Sequence, residues 1–329
     1  MIKDDLRIVF MGTPEFAVAT LKQLVENSYN VVAVVTQPDK PVGRHGSVLQ
    51  PSPVKEYALS QGLPVLQPEK MKDPAFVEQL RACGANLQVV VAFRMLPEVV
   101  WAMPEYGTFN VHAALLPQYR GAAPINWAVI NGETQTGVTT FFLDHDIDTG
   151  RIIEQRTFDI PDDADVEYVY DGLMHLGAEI CLSTIGKIIA AGGHPETVSQ
   201  SDLTTPTTHP SSLRPAPKLF KDNTRIGWSQ TAKQVYDFVR GLSPYPGAWT
   251  VVADAGGKEM LLKVFSTTKT GETADGRLPG TIVAGRKRLC VACADQLLQI
   301  DSLQLAGKKR MDAQAFLNGV KDLEKYSAR

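Results

Sequence analysis

Gly107-Thr-Phe-Asn110-Val-His112-Ala-Ala114-Leu-Leu-Pro117-Gln-Tyr-Arg120-Gly-Ala-Ala-Pro124 and, further on, Asp144-His-Asp146-Ile-Asp148-Thr-Gly150 decide how this chain is read. The first run sets a carboxamide, Asn110, two residues before an imidazole, His112. A carboxylate, Asp148, follows thirty-eight residues after Asn110. On a strand, residues i and i+2 point to the same face, so Asn110 and His112 can converge on one carbonyl group. An amide can hold an oxyanion, an imidazole can move a proton, and a carboxylate can orient and charge-balance that imidazole. Each also has a plainer reading. Asn110 can be a turn residue, His112 a satisfied core histidine, and Asp148 a turn cap before Thr149-Gly150. Asp144 and Asp146 are rival carboxylates.

Upstream of this stretch, apolar strands alternate with helices. Leu6-Arg-Ile-Val-Phe-Met11 ends at Gly12, and Pro14 suits the first turn of a helix running through Val25. Asn30 to Thr36 and Leu87 to Phe93 read as buried strands, with a short one at Val65. Ser52-Pro and Asp73-Pro are helix starts with a capping side chain and proline just inside. Another short helix begins near Pro97. Apolar strands separated by helices indicate an open, mostly parallel, Rossmann-like sheet covered on both faces. Such sheets bind ligands at the carboxyl ends of their strands, and Gly12, Thr36, Phe93 and Asn110–His112 lie there. The first turn is Gly12-Thr-Pro-Glu-Phe16 rather than Gly-x-Gly-x-x-Gly, which disfavours a dinucleotide.

A helix from Asp165 to about Ala191 closes the expected catalytic domain, 1–191. A Thr/Ser/Pro-rich linker, 192–215, follows. Residues 216–329 hold one helix, Thr231 to Arg240, five short strand-like runs between Gly, Pro and Asp turns, and a final helix from Asp312. That pattern suits a small β-barrel. The 329 residues carry a formal charge of −3, which conceals an asymmetry. Residues 205–329 hold 19 Lys+Arg against 11 Asp+Glu, a net of +8; residues 1–204 hold 14 against 25, a net of −11. Uneven surface charge is common, but this contrast is the kind that sets a polyanion-binding module beside an enzyme domain. Four scattered cysteines do not make a disulfide framework. Cys290 and Cys293 lie in a strand-like run that sends i and i+3 to opposite faces, so they read as two separate thiols rather than a metal pair. No signal peptide is expected at Met1-Ile-Lys-Asp-Asp, no apolar run long enough to span a bilayer is expected, and a cytosolic location follows.

Asn110-x-His112-x-x-x-Leu-Pro117 with Asp148-Thr-Gly resembles the folate-dependent formyltransferases. Within that family, Gly12-Thr-Pro-Glu-Phe16, Thr36-Gln-Pro-Asp-Lys-Pro41, Pro51-Ser-Pro-Val-Lys55 and Arg120-Gly-Ala-Ala-Pro124 are most similar to the methionyl-tRNA formyltransferases. The resemblance implies transfer of a formyl group from 10-formyltetrahydrofolate to initiator methionyl-tRNA. It makes the barrel OB-like and gives catalytic roles to Asn110, His112 and Asp148. It places folate against Ala114, Leu115, Leu116 and Pro117 and against Arg94, Met95 and Leu96. Ala114 stands where the family usually has Ser, so that hydroxyl contact is absent. Phe93-Arg94-Met95-Leu96 is closer to the glycinamide ribonucleotide transformylase pattern. Lys40-Pro-Val-Gly-Arg44-His-Gly46 is implied to be a flexible loop reaching the tRNA acceptor end through Lys40 and Arg44. Lys218, Lys221, Arg225, Arg286 to Arg288 and Lys308 to Arg310 are candidate phosphate contacts. No metal, no membrane and a monomeric state are expected.

Two other functions remain open from sequence. A folate-dependent formyltransferase acting on a small amine, such as a sugar nucleotide or glycinamide ribonucleotide, would not need the positive C-terminal half. A noncatalytic RNA-binding protein on the same scaffold would not need Asn110, His112 and Asp148 together.

Overall fold

The computed structural model describes residues 1–42, 48–203, 213–285, 287–320 and 322–329. Two compact units emerge. The first comprises Met1–Gly121, Gln135–Asp159 and Tyr170–Ala216; the second comprises Ala122–Thr134, Ile160–Val169 and Pro217–Arg329. The chain thus crosses between units several times, so the second contains short segments from the N-terminal half.

In chain order the first unit carries β1 (Ile8–Gly12), α1 (Glu15–Glu26), β2 (Val31–Val35), β3 (Lys40–Val42), β4 (Val48–Gln50), α2 (Pro53–Ser60), β5 (Val65–Leu66), α3 (Pro74–Ala82), β6 (Leu87–Val91), α4 (Glu98–Trp101) and β7 (Thr108–His112). After α5 (Pro124–Ile130), which belongs to the second unit, come β8 (Gln135–Phe142), β9 (Ile152–Asp159) and the long α6 (Val166–Ala190), whose residues 166–169 fall in the second unit. The sheet order is β5-β2-β1-β6-β7-β8-β9. The first five strands are parallel, and β8 and β9 add on antiparallel. Every residue of β1 and β6 is buried, as expected for strands covered on both faces. Connections from β1 run outward one way to β2 and β5, then the other way to β6 and β7. The switch point therefore lies between β1 and β6, where an open sheet leaves a crevice at its carboxyl edge.

The helix starts follow the sequence signals. Ser52 Oγ accepts from the Lys55 amide at 3.1 Å and Asp73 Oδ1 from the Ala75 amide at 3.0 Å, each with proline at the first helical position. Such caps contribute about 1 kcal/mol each. Gly12 ends β1 without a side chain because a Cβ there would lie 2.7 Å from the Ala17 Cβ. β8 and β9 carry no strand signal in the sequence reading. The reason is composition: Gln135-Thr-Gly-Val-Thr-Thr is polar, yet Thr136, Thr139 and Thr140 are buried. Two of those hydroxyls are satisfied internally, Thr139 donating to the Ala114 carbonyl at 2.6 Å and Thr140 pairing with Thr184 at 2.7 Å.

α6 bears on the expectation that no apolar run is long enough to span a bilayer. Its 25 residues are long and apolar enough by composition to cross a membrane, although Glu167, Asp171, Glu179 and Lys187 interrupt any continuous apolar run. The apolarity has a local explanation, since Leu173, Ile180, Cys181, Ile185 and Ile188 are fully buried while Asp171, Glu179 and Lys187 sit on its outer side. Residues 40–42, expected within a flexible loop, form the first strand of an antiparallel hairpin, Lys40 opposite Gln50 and Val42 opposite Val48. Lys55 Nζ and Gln67 Nε2 both bond the Asp39 carboxylate at 2.7 Å and anchor the hairpin at its base.

The second unit holds α7 (Ala232–Arg240), β10 (Ala248–Asp254), β11 (Glu259–Thr273), β12 (Ile282–Ala284), β13 (Leu289–Ala292), β14 (Gln296–Leu305), β15 (Met311–Asp312), α8 (Ala313–Gly319) and β16 (Tyr326–Ala328). Its antiparallel order is β12-β13-β14-β11-β10-β16, with β15 off β14. A bridge between Thr281 and Ser327 joins the two ends into a nearly closed barrel. Trp228, Val239, Val264, Ile300 and Phe316 fill it. Thr231 caps α7 with Gln234 in a reciprocal capping box. Cys290 and Cys293 are both buried, the first among Ala274, Ala292 and Leu297, the second in the main barrel core. Burial pushes both thiols up, Cys293 to about 12, so neither is a ready thiolate.

Candidate active site

β7 ends the parallel part of the sheet, and its last residues carry the candidate chemistry. Asn110 pairs with Val90 of β6 and Phe141 of β8, and His112 with Thr139 of β8. His112 is 6% exposed. Its Nε2 lies 3.0 Å from the Tyr119 carbonyl oxygen. A carbonyl only accepts, so Nε2 is the protonated nitrogen and donates. In the neutral ring, Nδ1 is then the basic nitrogen. It faces Asp148 Oδ2 at 3.9 Å, beyond direct hydrogen-bond reach but well within Coulombic range. A proton gained at Nδ1 would be stabilised by that carboxylate.

Asp148 is held rather than loose. It has a left-handed backbone, φ 55°, at the end of the β8–β9 loop. Its Oδ2 accepts the Gly121 amide at 2.8 Å. The Gln200 side-chain amide donates to the Asp148 carbonyl at 2.8 Å and to the Gly150 carbonyl at 2.9 Å. Of the rival carboxylates, Asp144 is committed to its own turn, accepting from the Thr149 hydroxyl at 2.7 Å and the Asp146 amide at 3.3 Å. Asp146 is exposed. The structure brings Asp148 alone of the three to His112.

Asn110 is half-buried, and its Oδ1 is buried with no hydrogen-bond partner among the described residues. A buried polar atom left unpaired costs about 1–3 kcal/mol, so native structures retain one chiefly where it serves a ligand or reaction. That oxygen is thus available to accept from a donor on a bound group.

Beyond His112 the chain turns sharply. Ala114 and Leu116 are buried, Leu115 and Pro117 half-buried, and the Leu116–Pro117 peptide is cis. The polar backbone of this turn is largely consumed internally. Ala114 N–H donates to the His112 carbonyl, Leu116 N–H to Thr139 Oγ1, and Gln155 Nε2 donates to the Leu116 carbonyl. What remains outward is apolar, Leu115 and Pro117. The adjacent segment leaving β6 is the opposite case. The backbone amides and carbonyls of Arg94, Met95 and Leu96 have no hydrogen-bond partner among the described residues. Met95 is 71% exposed and Leu96 is buried in the sheet core. The Arg94 guanidinium turns back onto the Pro68 and Glu69 carbonyls, and burial pulls its pKa down.

Lys40 is exposed on β3; Arg44 lies outside the described residues. In the second unit, Lys221 and Arg225 stand over the Trp249 ring at 5.5 and 5.4 Å, and Lys218 over the exposed Phe220 at 5.5 Å. Lys308 and Lys309 are exposed. Arg288 is committed to Glu272 at 2.6 Å, and Arg286 lies outside the described residues. Three residues join the site that are not among those expected from sequence: Tyr119, whose carbonyl fixes the imidazole tautomer, and Gly121 and Gln200, which hold Asp148. Gly121 sits in the quoted motif and its glycine was the available signal. Gln200 has no local signal.

A carboxamide, an imidazole and a carboxylate gathered at the carboxyl edge of an open sheet define an enzyme of the acyl-transfer class. Residues 6–185 match the family described as "Formyl transferase", and 218–321 match "Formyl transferase, C-terminal domain". The chain belongs to the formyl transferase family. It is 58% identical, over 99% of both chains, to a protein of Parabacteroides distasonis named methionyl-tRNA formyltransferase. Among solved structures it is similar in fold to the sugar 3N-formyl transferase WlaRD, crystallised with dTDP and 5-N-formyl-THF. That match has a TM-score of 0.62 and 16% identity, covering 92% of this chain and 99% of that one. It is also similar to HypX from Aquifex aeolicus in complex with tetrahydrofolic acid, with a TM-score of 0.60 and 20% identity; it covers 95% of this chain but spans only 47% of that one.

Proposed function

We propose that this chain transfers the formyl group of 10-formyltetrahydrofolate to the α-amino group of initiator methionyl-tRNA, in the cytosol, with Asn110, His112 and Asp148 carrying the chemistry. The full-length similarity to the Parabacteroides distasonis protein carries the acceptor assignment. The site supports the reaction. The amine nitrogen attacks the formyl carbon, and the carbonyl oxygen takes up negative charge that the Asn110 amide would stabilise, an interaction worth about 10²–10³ in rate. The attacking nitrogen must shed a proton. His112 Nδ1 takes it because Nε2 is committed to Tyr119, and Asp148 stabilises the resulting imidazolium. The C–N10 bond then breaks, N10 regains a proton, and the amine leaves formylated.

The residues fit a folate. The unpaired backbone of Arg94, Met95 and Leu96 supplies donors and acceptors for a flat heterocycle, and Leu115 with Pro117 supplies an apolar wall. Lys40 and Arg44, with Lys218, Lys221 and Arg225, are the proposed tRNA contacts. Trp249 and Phe220 lie beneath three of these cations, a combination suited to sugar-phosphate and exposed bases.

The test supplies 10-formyltetrahydrofolate with charged initiator methionyl-tRNA, charged elongator methionyl-tRNA and glycinamide ribonucleotide in parallel. Product on the initiator tRNA, abolished in His112→Ala while tRNA binding persists, is the expected result. Product only on the small amine would overturn the acceptor; activity retained in His112→Ala would overturn the mechanism.

A further inference from the structure

We propose that Gln200, outside both family matches, is a positioning residue that sets the carboxylate of Asp148 against His112. The inference rests on the formyl-transfer reading above. Gln200 lies in the stretch after α6, 4% exposed, and every polar atom of its side chain is used. Its Nε2 donates to the carbonyls of Asp148 and Gly150 at 2.8 and 2.9 Å. Its Oε1 accepts from Arg120 Nε at 3.1 Å and Nη2 at 2.5 Å. Arg120 immediately precedes Gly121, whose amide holds the Asp148 carboxylate at 2.8 Å. One buried carboxamide therefore bonds the backbone of the loop that carries Asp148 and, through the Arg120 guanidinium, the segment whose Gly121 amide holds its carboxylate. It holds the β8–β9 loop through its donors and the Arg120–Gly121 segment through its acceptor.

The chemistry explains why a glutamine is required. The two carbonyls accept only and the guanidinium donates only. A carboxylate here would satisfy Arg120 but set negative oxygens against two carbonyls. A methionine would keep the volume and make neither contact. Asp148 has a left-handed backbone that a released loop need not retain. Displacing a reacting or orienting group by about 1 Å can lower the rate roughly a hundredfold.

The experiment makes Gln200→Met and Gln200→Glu, alone and combined with Asp148→Ala, and confirms folding by thermal melting. Formyl transfer to initiator methionyl-tRNA and the ¹⁵N signals of the His112 ring are then recorded. In an active wild-type chain, each Gln200 variant should lower kcat about 10- to 100-fold with the KM for tRNA changed less than about threefold. In the Asp148→Ala background the same substitutions should have no further effect, since residues acting through one group are not additive. The His112 Nδ1 signal in both variants should move to its position in Asp148→Ala. Full additivity with Asp148→Ala, or an unmoved Nδ1 signal, would overturn the proposal. The ring signal does not depend on the acceptor. An inactive wild type would therefore refute the methionyl-tRNA reading while the spectrum still decides the role of Gln200.

Discussion

Gly121→Ala isolates the link between backbone geometry and chemistry at this site. Gly121 has φ +128°, and a Cβ built there would lie 2.5 Å from the Ala216 carbonyl oxygen. Unstrained carbon–oxygen contact begins near about 3.3 Å, so the backbone must give by roughly 0.8 Å. The neighbouring hydrogen bond resists this, because Ala216 N–H is held by the Arg120 carbonyl at 2.8 Å. If Gly121 moves instead, its amide withdraws from Asp148 Oδ2, from 2.8 Å towards a separation at which no hydrogen bond remains. Losing a bond to a charged group costs about 1.5–3 kcal/mol, and forcing a Cβ into a left-handed residue adds about 1–2 kcal/mol. Gly121→Ala should thus be about 3–5 kcal/mol less stable by urea unfolding. At a temperature where it remains folded, kcat should fall roughly a hundredfold through the displaced carboxylate. A folded variant with near wild-type kcat would refute the argument that this amide sets Asp148. A variant of unchanged stability would refute the close-approach argument itself.

Further perturbations bear on the buried charges and the basic face of the second unit. Asp237 and Arg240 form a buried pair at 2.8 Å, and Arg240 also donates to the Ala164 carbonyl at 2.7 Å. Lys233 also bonds Asp237, at 2.6 Å, so the change that strands a buried charge is Asp237→Leu, which leaves Arg240 unpaired. Asp237→Leu should cost about 3–5 kcal/mol in urea unfolding and the double change Asp237→Leu/Arg240→Met less, since the double change leaves no buried charge unpaired; equal losses would contradict this. Burial opposes ionisation of Glu154, but the Ser183 hydroxyl, Lys187 and Arg156 outweigh it and hold its carboxyl below the ordinary glutamate range. A depressed carboxylate contributes stability above its unfolded pKa of about 4.3 and loses it as pH falls through the lower folded value. Ser183→Ala should therefore flatten the acid limb of a melting profile, and an unchanged limb would sink the assignment. Binding of methionyl-tRNA should weaken linearly in log salt, and Lys221→Ala should reduce that slope by about 1. A slope identical to wild type would remove Lys221 from the interface.

What the sequence disclosed follows from where the determinants lie. β1, β2 and β6 were legible because strands buried on both faces read as continuous apolar runs, and the starts of α2, α3 and α7 because a cap is a local event. β8 was not, because its buried threonines look polar until Thr184 and the Ala114 carbonyl are placed beside them. The nearly closed barrel ends on β16, three residues whose partner, β10, lies over seventy positions earlier; nothing local announces that pairing.

The same division runs through the site. Asn110, His112 and Asp148 stand out because a carboxamide, an imidazole and a carboxylate are functional groups that suit the proposed acyl transfer. The residues that make them competent need only a shape. Tyr119 contributes a carbonyl, which any residue possesses, and Gly121 an amide in a conformation that excludes a Cβ. Gln200 contributes one donor and one acceptor at a point where loops fifty and eighty residues apart happen to meet. A sequence records chemical necessity in the identity of a residue but records positioning only through the fold. On the proposed mechanism, the Asp148 carboxylate serves only to the extent that Gly121, a motif glycine, and Gln200, which no motif names, keep it pointed at the imidazole.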